Sequence, residues 1–169
     1  RNTVPENDME HSMQTALIAH GLAVLGKTRH QRDIDPAHVV VLALYHDVGE
    51  VITGDLPTPI KYYNPDIKTA YKEVERIAGN RLLDMLPAEL RSSYTHYVLE
   101  DDAELEPFVK AADKLSAHIK CLEEQKAGNT EFDSAALQTL DALKAMNSPE
   151  LEWFLNNCLQ AFTLNLDQL

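Results

Sequence analysis

The sequence is short of several features, and each shortage excludes a class of protein. No apolar run approaches the about 20 residues that span a bilayer, and the start lacks the regions of a signal peptide. Strand-like alternation of apolar and polar residues never extends beyond a few positions, and there is no internal repeat. The two cysteines, Cys121 and Cys158, lie in helical patterns without close partners. We therefore expect an all-α, cytoplasmic protein whose thiols are reduced and buried, with no membrane span.

Basic residues are also scarce. Lysine and arginine number 15 against 27 acidic residues, which gives a net charge of −12 at pH 7. Binding to nucleic acid or to an acidic membrane surface requires a basic stripe, which this composition does not favour. A small anion can still bind such a chain if a metal ion and a few local cations receive it. The expected partner is therefore a small molecule.

What the sequence does contain is the composition of a globular protein. Hydrophobic residues make up 44% and charged residues 25% of the 169 positions, which excludes disordered and fibrous classes. A chain of this length suits one core, so we expect a single domain over residues 1–169. Because the first residue is Arg1 and not Met, we also expect that the full-length protein has an additional N-terminal portion.

Apolar residues recur at spacings of three and four through most of the chain, which predicts helices. Helix starts are indicated by Asn7 or Asp8, by Asp35-Pro36 and by Asn64-Pro65. The resulting fold class is all-α, a bundle of roughly six to eight helices. The first predicted helices run from Asn7 or Asp8 to about Gly26, from 36 to about 53, and from 65 to 86 with a break near Gly79. A short helix follows from Pro87 over Tyr94. The last three predicted helices span about 104 to 127, 132 to 146 and 149 to about 164.

The central stretch is the apolar run from Val39 to Val51, which contains His46, Asp47 and Glu50. If the helix continues through it, these three residues share a face with buried apolar positions. Burying a His-Asp pair costs several kcal/mol unless each group gains a partner, and a divalent cation is a partner that satisfies both. This predicts a metal site at His46-Asp47.

Asp113 lies on or beside the apolar stripe of the long helix predicted after Glu104. An inward Asp requires a partner, so a metal is one interpretation; a salt bridge to Lys110 or Lys114, or a partly solvated position, are the others. His11 sits at the edge of the first helix's apolar stripe. For the remaining histidines we expect ordinary surface or core positions; these are His20, His30, His38, His96 and His118.

Taken together, His11, the pair His46-Asp47 and Asp113 form an H…HD…D pattern that resembles the HD-domain metal-dependent phosphohydrolases. Further motifs are similar to those of bacterial 5′-deoxynucleotidases of the YfbR type. These motifs are Glu10-His11-Ser12, His46-Asp47-x-x-Glu50, the run from Thr53-Gly54-Asp55-Leu56-Pro57-Thr58-Pro59 to Lys61-Tyr62, and Lys120-Cys121-Leu122-Glu123-Glu124. The resemblance covers most of the chain.

The resemblance implies that His11, His46, Asp47 and Asp113 hold one divalent ion, with cobalt or manganese the usual metal and zinc or magnesium the alternatives. It implies that water attacks the phosphate and that Glu50 is the catalytic base. It also implies that His11, Asp47 and Asp113 face the substrate, a deoxyribonucleoside 5′-monophosphate, and that the enzyme is a homodimer. The loop Asp55-Leu56-Pro57-Thr58 would line the sugar pocket, and Lys61 lies near enough in sequence to add positive charge.

One part of the family pattern is missing from this sequence. The family has an Arg-Trp pair upstream of the first metal histidine, and it would lie before Arg1; Trp153 is too far along the chain to match it. Deoxyribose selectivity therefore rests on the resemblance. Two alternatives share the ligand set: an HD phosphohydrolase acting on an alarmone or a deoxynucleoside triphosphate, and a non-catalytic metal- or nucleotide-binding module. A binding module has no need of a base such as Glu50 beside the ion.

Overall fold

The computed structural model describes residues 2–3, 5–55, 64–99 and 102–168, and these ranges contain helices and no strand. This confirms the all-α prediction. The α-helices are α1 (Asp8–Arg29), α2 (Pro36–Tyr45), α3 (Glu50–Thr53), α4 (Pro65–Asp84), α5 (Ala88–Val98), α6 (Glu106–Lys126), α7 (Asp133–Ala145) and α8 (Pro149–Asn157). Short 3₁₀ helices span Thr130–Phe132, Leu159–Thr163 and Leu166–Gln168. None of the helices in the described ranges has both the length and the apolarity needed to cross a membrane.

The first two helices begin at the short polar residues that the sequence indicates as helix starts. The Asn7 side chain accepts from the backbone N–H groups of Met9 and Glu10, and the Glu10 carboxylate accepts from Asn7 N–H, which forms a capping box. Asp35 caps α2 through Ala37 N–H. Because these bonds satisfy N–H groups that have no partner within the helix, they fix the starts of α1 and α2.

The centre of the bundle is built on small residues from α1, α2 and α6. Ala19 and Ala23 of α1, Ala43 of α2 and Ala112 of α6 are all 0% exposed and belong to one buried cluster. Alanine side chains allow helix axes to approach to roughly 8 Å, the short end of the usual range. Ala43 lies three residues before His46 and Ala112 lies next to Asp113, so this packing positions the candidate ligands.

The predicted helix from 36 to about 53 is wrong in one respect, because α2 ends at Tyr45. Residues 46–49 form turns and α3 begins at Glu50. His46 Nδ1 donates to the Ala43 carbonyl at 2.8 Å, and that carbonyl would accept Asp47 N–H in a continuing helix. Val48 N–H donates to Tyr45 O, and Glu50 N–H donates to Asp47 O. Both bonds join residues three positions apart, as in a 3₁₀ turn, whereas an α-helix joins residues four apart.

Three other boundaries differ from the prediction. Helix α1 continues past Gly26 to Arg29, and the predicted final helix ends at Asn157, where 3₁₀ turns replace it. Helix α4 has no break at Gly79. A Cβ at this glycine would lie 2.8 Å from the side chain of Leu99, so Gly79 allows α4 to pack closely against the end of α5.

The two cysteines are free thiols, as predicted; Cys121 is buried as expected, whereas Cys158 is only half-buried. The predicted turn from Gly54 to Pro59 can be followed only through Gly54 and Asp55, because 56–63 lie outside the described residues. Gly54 has φ +69°, a left-handed conformation that glycine adopts without strain. Its carbonyl accepts the Tyr71 hydroxyl at 2.9 Å, which ties the start of this segment to α4.

Candidate metal centre and active site

Four side chains of the predicted ligand set come together from three helices. His11 lies in the first turn of α1, His46 and Asp47 follow α2, and Asp113 lies in the middle of α6. His11 Nε2 is 3.2 Å from Asp113 Oδ1 and 3.6 Å from Asp47 Oδ2. His46 Nε2 is 3.0 Å from Asp47 Oδ2 and 3.9 Å from Asp113 Oδ1. Ligand atoms around one ion with bonds of about 2.0–2.2 Å are separated by roughly 3 to 4 Å. His11, His46 and Asp47 offer ligand atoms that all lie within 4.8 Å of one another, so these three have the dimensions of a metal site, and Asp113 borders it through the two histidines.

The ring of His46 provides a test of whether a cation fits. Its Nδ1 donates to the Ala43 carbonyl, so in the neutral ring Nε2 is the nitrogen with the lone pair that a metal ion can take. Among the described residues this buried Nε2 has no hydrogen-bond partner, although it faces Asp47 Oδ2 at 3.0 Å. In a metal-binding histidine, a hydrogen bond from one ring nitrogen fixes the imidazole, and the other nitrogen points at the metal position. The buried ring of His46 has this arrangement, with Nε2 directed at carboxylates.

The electrostatics of the cluster favour positive charge. Burial acts to lower the pKa of His46, but the close contact with the Asp47 carboxylate and the charges of Asp47 and Asp113 outweigh it and raise the pKa to about 9. The hydrogen bond that His11 donates to Asp113 is the largest cause of the raised pKa of His11. The pKa of Asp113 is lowered, because the bond to His11 and the charge of His46 exceed the effect of burial. A cation in this position is therefore stabilised by its surroundings.

The alternatives for Asp113 can now be compared with the structure. Lys110 pairs with Glu106 one turn earlier on α6, while Asp113 hydrogen-bonds to His11. Lys114 contributes only through its charge, which is the weakest of the causes that lower the pKa of Asp113. The Asp113 side chain is 46% exposed, so it faces the cluster and remains open to solvent. Its main partner is thus the cluster.

Glu50 lies at the first position of α3, and its N–H donates to Asp47 O at 2.9 Å. It therefore lies three residues after Asp47, at the start of a new helix, and not one turn beyond His46 on the same helix. Asp55 is exposed just after Gly54. Leu56, Pro57 and Thr58, together with Lys61, lie outside the described residues, so their predicted role in the substrate pocket is untested.

The structure also brings together three residues to which sequence reasoning assigned no site. His38 of α2, His96 of α5 and Asp102 before α6 offer ligand atoms that all lie within 4.8 Å of one another. The spacing of residues within one helix cannot reveal such a cluster, because its members come from three segments of the chain. His20 and His30 are exposed, and His118 is buried with its Nδ1 2.9 Å from Thr139 Oγ1.

The helical fold and a His, His-Asp, Asp cluster contributed by three helices define an HD-domain protein. A solved HD-domain phosphohydrolase from Listeria innocua matches with a TM-score of 0.82 over 98% of this chain and 81% of that chain; at 20% identity, this likeness shows the fold. The family model described as 5′-deoxynucleotidase YfbR-like matches residues 1–162, and the chain therefore belongs to the YfbR-like family. This confirms the predicted resemblance.

Relatives of known name match along the whole chain. A 5′-deoxynucleotidase of Vibrio atlanticus is 43% identical over 171 residues, which cover 100% of this chain and 88% of the relative. The 5′-deoxynucleotidase yfbR of Photorhabdus temperata is 44% identical over 172 residues, covering 100% of this chain and 87% of the relative. An HD phosphohydrolase fold implies a divalent metal, and the cluster supplies donors that could bind one.

Proposed function

We propose that this protein is a metal-dependent 5′-deoxynucleotidase that hydrolyses deoxyribonucleoside 5′-monophosphates to deoxyribonucleosides and phosphate. The observation that supports it most is the convergence of His11, His46, Asp47 and Asp113 in a chain that belongs to the YfbR-like family. The net charge of −12 favours a small substrate over nucleic acid or a membrane surface. A monophosphate also requires fewer basic side chains than a triphosphate or an alarmone.

The proposed metal ligands are His11 Nε2, His46 Nε2, one Asp47 oxygen and one Asp113 oxygen. Two imidazoles and two carboxylates suit cobalt, manganese or zinc and, less well, magnesium; we propose cobalt or manganese, following the resemblance. When bound, the ion would lower the pKa of a coordinated water and neutralise charge on the phosphate. The half-exposed Asp113 places this centre where a substrate phosphate can reach it.

We assign Glu50 the role of catalytic base. Its position three residues after Asp47, with its backbone N–H bonded to Asp47 O, supports this, since a base must lie within hydrogen-bond reach of the attacking water or act through one further water. In this role the Glu50 carboxylate takes a proton from water as the oxygen attacks phosphorus, and the nucleoside 5′ oxygen departs on the opposite side. Asp47 and Asp113 would orient that water and the substrate together with His11.

Selectivity for deoxyribose is assigned to the segment Asp55-Leu56-Pro57-Thr58. Asp55 and Thr58 can hydrogen-bond sugar hydroxyls, and a proline ring can occupy the space that a 2′-hydroxyl needs. The bond from Tyr71 to Gly54 O supports this proposal, because it anchors the start of the segment to α4.

We further propose a cytoplasmic homodimer whose chain forms one HD domain over residues 1–169. The free thiols of Cys121 and Cys158 suit a reducing compartment. An exposed apolar stripe along α1 supports the dimer. It consists of Met9, Met13, Leu17 and Val24, which are 81%, 54%, 62% and 37% exposed and lie within about a quarter of the helix circumference. Such a stripe is typical of a helix that meets a second copy of the same chain.

The substrate proposal is tested with protein loaded with cobalt or manganese and a panel of nucleoside 5′-mono-, di- and triphosphates carrying either sugar. Phosphate release should be highest with the deoxyribonucleoside monophosphates and at least about tenfold lower with the matching ribonucleotides, as steric exclusion of the added hydroxyl predicts. Preference for triphosphates or for ribonucleotides would refute the proposal. Absence of all turnover by metal-loaded, folded protein would favour the binding-module alternative.

A further inference from the structure

A second group of metal-ligating side chains lies away from the proposed active site. His38 Nε2 and His96 Nε2 are 3.1 Å apart, and the same His96 nitrogen lies 3.4 Å from Asp102 Oδ2. His38 precedes His46 by eight residues, which separates the two positions by roughly 12 Å along a helix axis. Two ions that act together in catalysis lie about 3.5–4 Å apart, so this cluster is not part of a two-metal centre.

No placement of hydrogens gives all three of these atoms a good hydrogen bond within the cluster. A single hydrogen on His96 Nε2 can point in line at Asp102 Oδ2 or at His38 Nε2, but not at both. If His38 Nε2 carries a hydrogen as well, two N–H groups face each other at 3.1 Å. A cation at the point where the three atoms converge accepts a lone pair from each of them. The spacings of 3.1 and 3.4 Å are those expected between ligands bound to one ion at about 2.0–2.2 Å.

The carboxylate of Asp102 is held ready for this role. Its Oδ1 accepts the backbone N–H groups of Glu104 and Leu105 at 3.1 and 3.0 Å. These bonds fix the side chain and leave Oδ2 directed at His96. Restraint of a ligand by outer bonds is a regular feature of metal sites, because it reduces the freedom lost when the ion binds.

The histidine rings are fixed by aromatic neighbours. The Tyr97 ring centroid lies 5.6 Å from that of His38 and 5.5 Å from that of His96, and Tyr45 stacks on Tyr97 at 5.9 Å. The His96 and Asp102 side chains remain 35% and 20% exposed, so an ion can enter from solvent. The cluster is therefore both ordered and accessible.

We propose that His38, His96 and Asp102 form a second metal site, which binds a divalent first-row transition ion such as zinc. Two imidazoles and one carboxylate suit zinc, cobalt, nickel or copper, and are a poor set for magnesium or calcium, which prefer oxygen ligands. The ion links α2, α5 and the segment before α6. The remaining coordination positions belong to solvent, and the site stabilises the joining of these segments.

The test measures bound zinc per chain by equilibrium dialysis and elemental analysis at neutral pH. The whole chain should bind two equivalents. His96→Ala should bind one, and the double variant His11→Ala, Asp113→Ala should also bind one, in the second site. The triple variant with all three changes should bind none. Excess magnesium should leave the zinc held by the His11→Ala, Asp113→Ala variant in place.

Asp102→Asn is the matched variant that preserves the fold, because its amide oxygen can still accept from Glu104 and Leu105. Zinc affinity at the second site should fall by at least about 10- to 100-fold, which is the loss that removal of an outer-shell partner causes. His20→Ala, an exposed histidine of α1, serves as control and should bind two. No zinc in the His11→Ala, Asp113→Ala variant, or two equivalents in His96→Ala, would overturn the proposal. Since the readout is zinc bound, it is independent of whether the protein hydrolyses nucleotides.

Discussion

His11 Nε2 lies 3.2 Å from Asp113 Oδ1, although the two residues are 102 positions apart in the sequence. The contact joins the first turn of α1 to the middle of α6. The other two members of the cluster, His46 and Asp47, come from the chain between them. The candidate metal centre therefore exists only when α1, α2 and α6 are packed together.

Replacing Asp113 with alanine should remove metal and turnover together. The change deletes one of two carboxylates and leaves His11 without its hydrogen bond. Metal affinity should fall by well over about 10-fold, since a lost ligand costs more than a lost outer-shell partner. Metal content after dialysis and phosphate release are the measurements. Asp141→Ala, an exposed aspartate of α7, should keep both properties. Full metal content and activity in Asp113→Ala would remove Asp113 from the site.

Glu50→Gln should separate chemistry from metal binding. The amide keeps the size of the side chain but cannot accept a proton, so turnover should fall by about 10²- to 10⁴-fold while metal content is unchanged. Steady-state phosphate release and elemental analysis measure the two effects. Glu89→Gln, at an exposed position in the first turn of α5, should behave like the parent. A parental rate in Glu50→Gln would show that another group takes the proton.

The buried histidine of α6 predicts how stability depends on pH. Burial lowers the pKa of His118 below its ordinary value of 6.5. Below pH 6.5 the unfolded chain therefore binds a proton at this position that the folded chain resists, and the free energy of unfolding falls as the pH falls. The fall is at most about 1.4 kcal/mol per pH unit for one group.

His118→Gln should reduce this loss of stability. In metal-free protein, urea midpoints between pH 7 and 5 should decline less steeply for His118→Gln than for the parent. His20→Gln, on the exposed side of α1, should follow the parental slope. Equal slopes for all three proteins would mean that the folded chain accepts the proton on His118 as readily as the unfolded chain does.

A charge on the exposed stripe of α1 should dissociate the proposed dimer. Leu17 is 62% exposed at the middle of the stripe, and Leu17→Glu would bury a carboxylate against the second copy. Light scattering after gel filtration should give twice the 19.0 kDa chain mass for the parent and the single chain mass for Leu17→Glu. Leu137→Glu, an exposed leucine of α7, should remain dimeric. A monomeric parent would refute the dimer.

Local signals in the sequence account for most of the fold. Asn7, Asp35 and Asn64 cap helices where they were expected, because capping depends on bonds within three residues. The end of α2 could not be predicted in this way. The apolar pattern continues through His46, and only the folded geometry shows its ring donating to the Ala43 carbonyl. Periodicity predicts which face of a helix is buried but not where a side chain competes with the backbone.

The first candidate site was found from the sequence because its motif is known as a unit, with His46 and Asp47 adjacent. The cluster of His38, His96 and Asp102 has no such motif. His38 and His96 are 58 residues apart and meet only because α5 packs against α2. Helical phase relates positions within one helix, so it gives no information about which residue of a second helix will lie opposite.

The four fully buried alanines of α1, α2 and α6 also work as spacers for chemistry in which they take no part. Metal–ligand bonds tolerate deviations of about 0.2 Å, whereas a larger side chain at a packed helix contact forces backbone shifts. A larger side chain at Ala43 or Ala112, beside the candidate ligands, would therefore disturb the ligand positions as well as the core. In this bundle the smallest buried side chains set the separation of the helices that carry the candidate ligands.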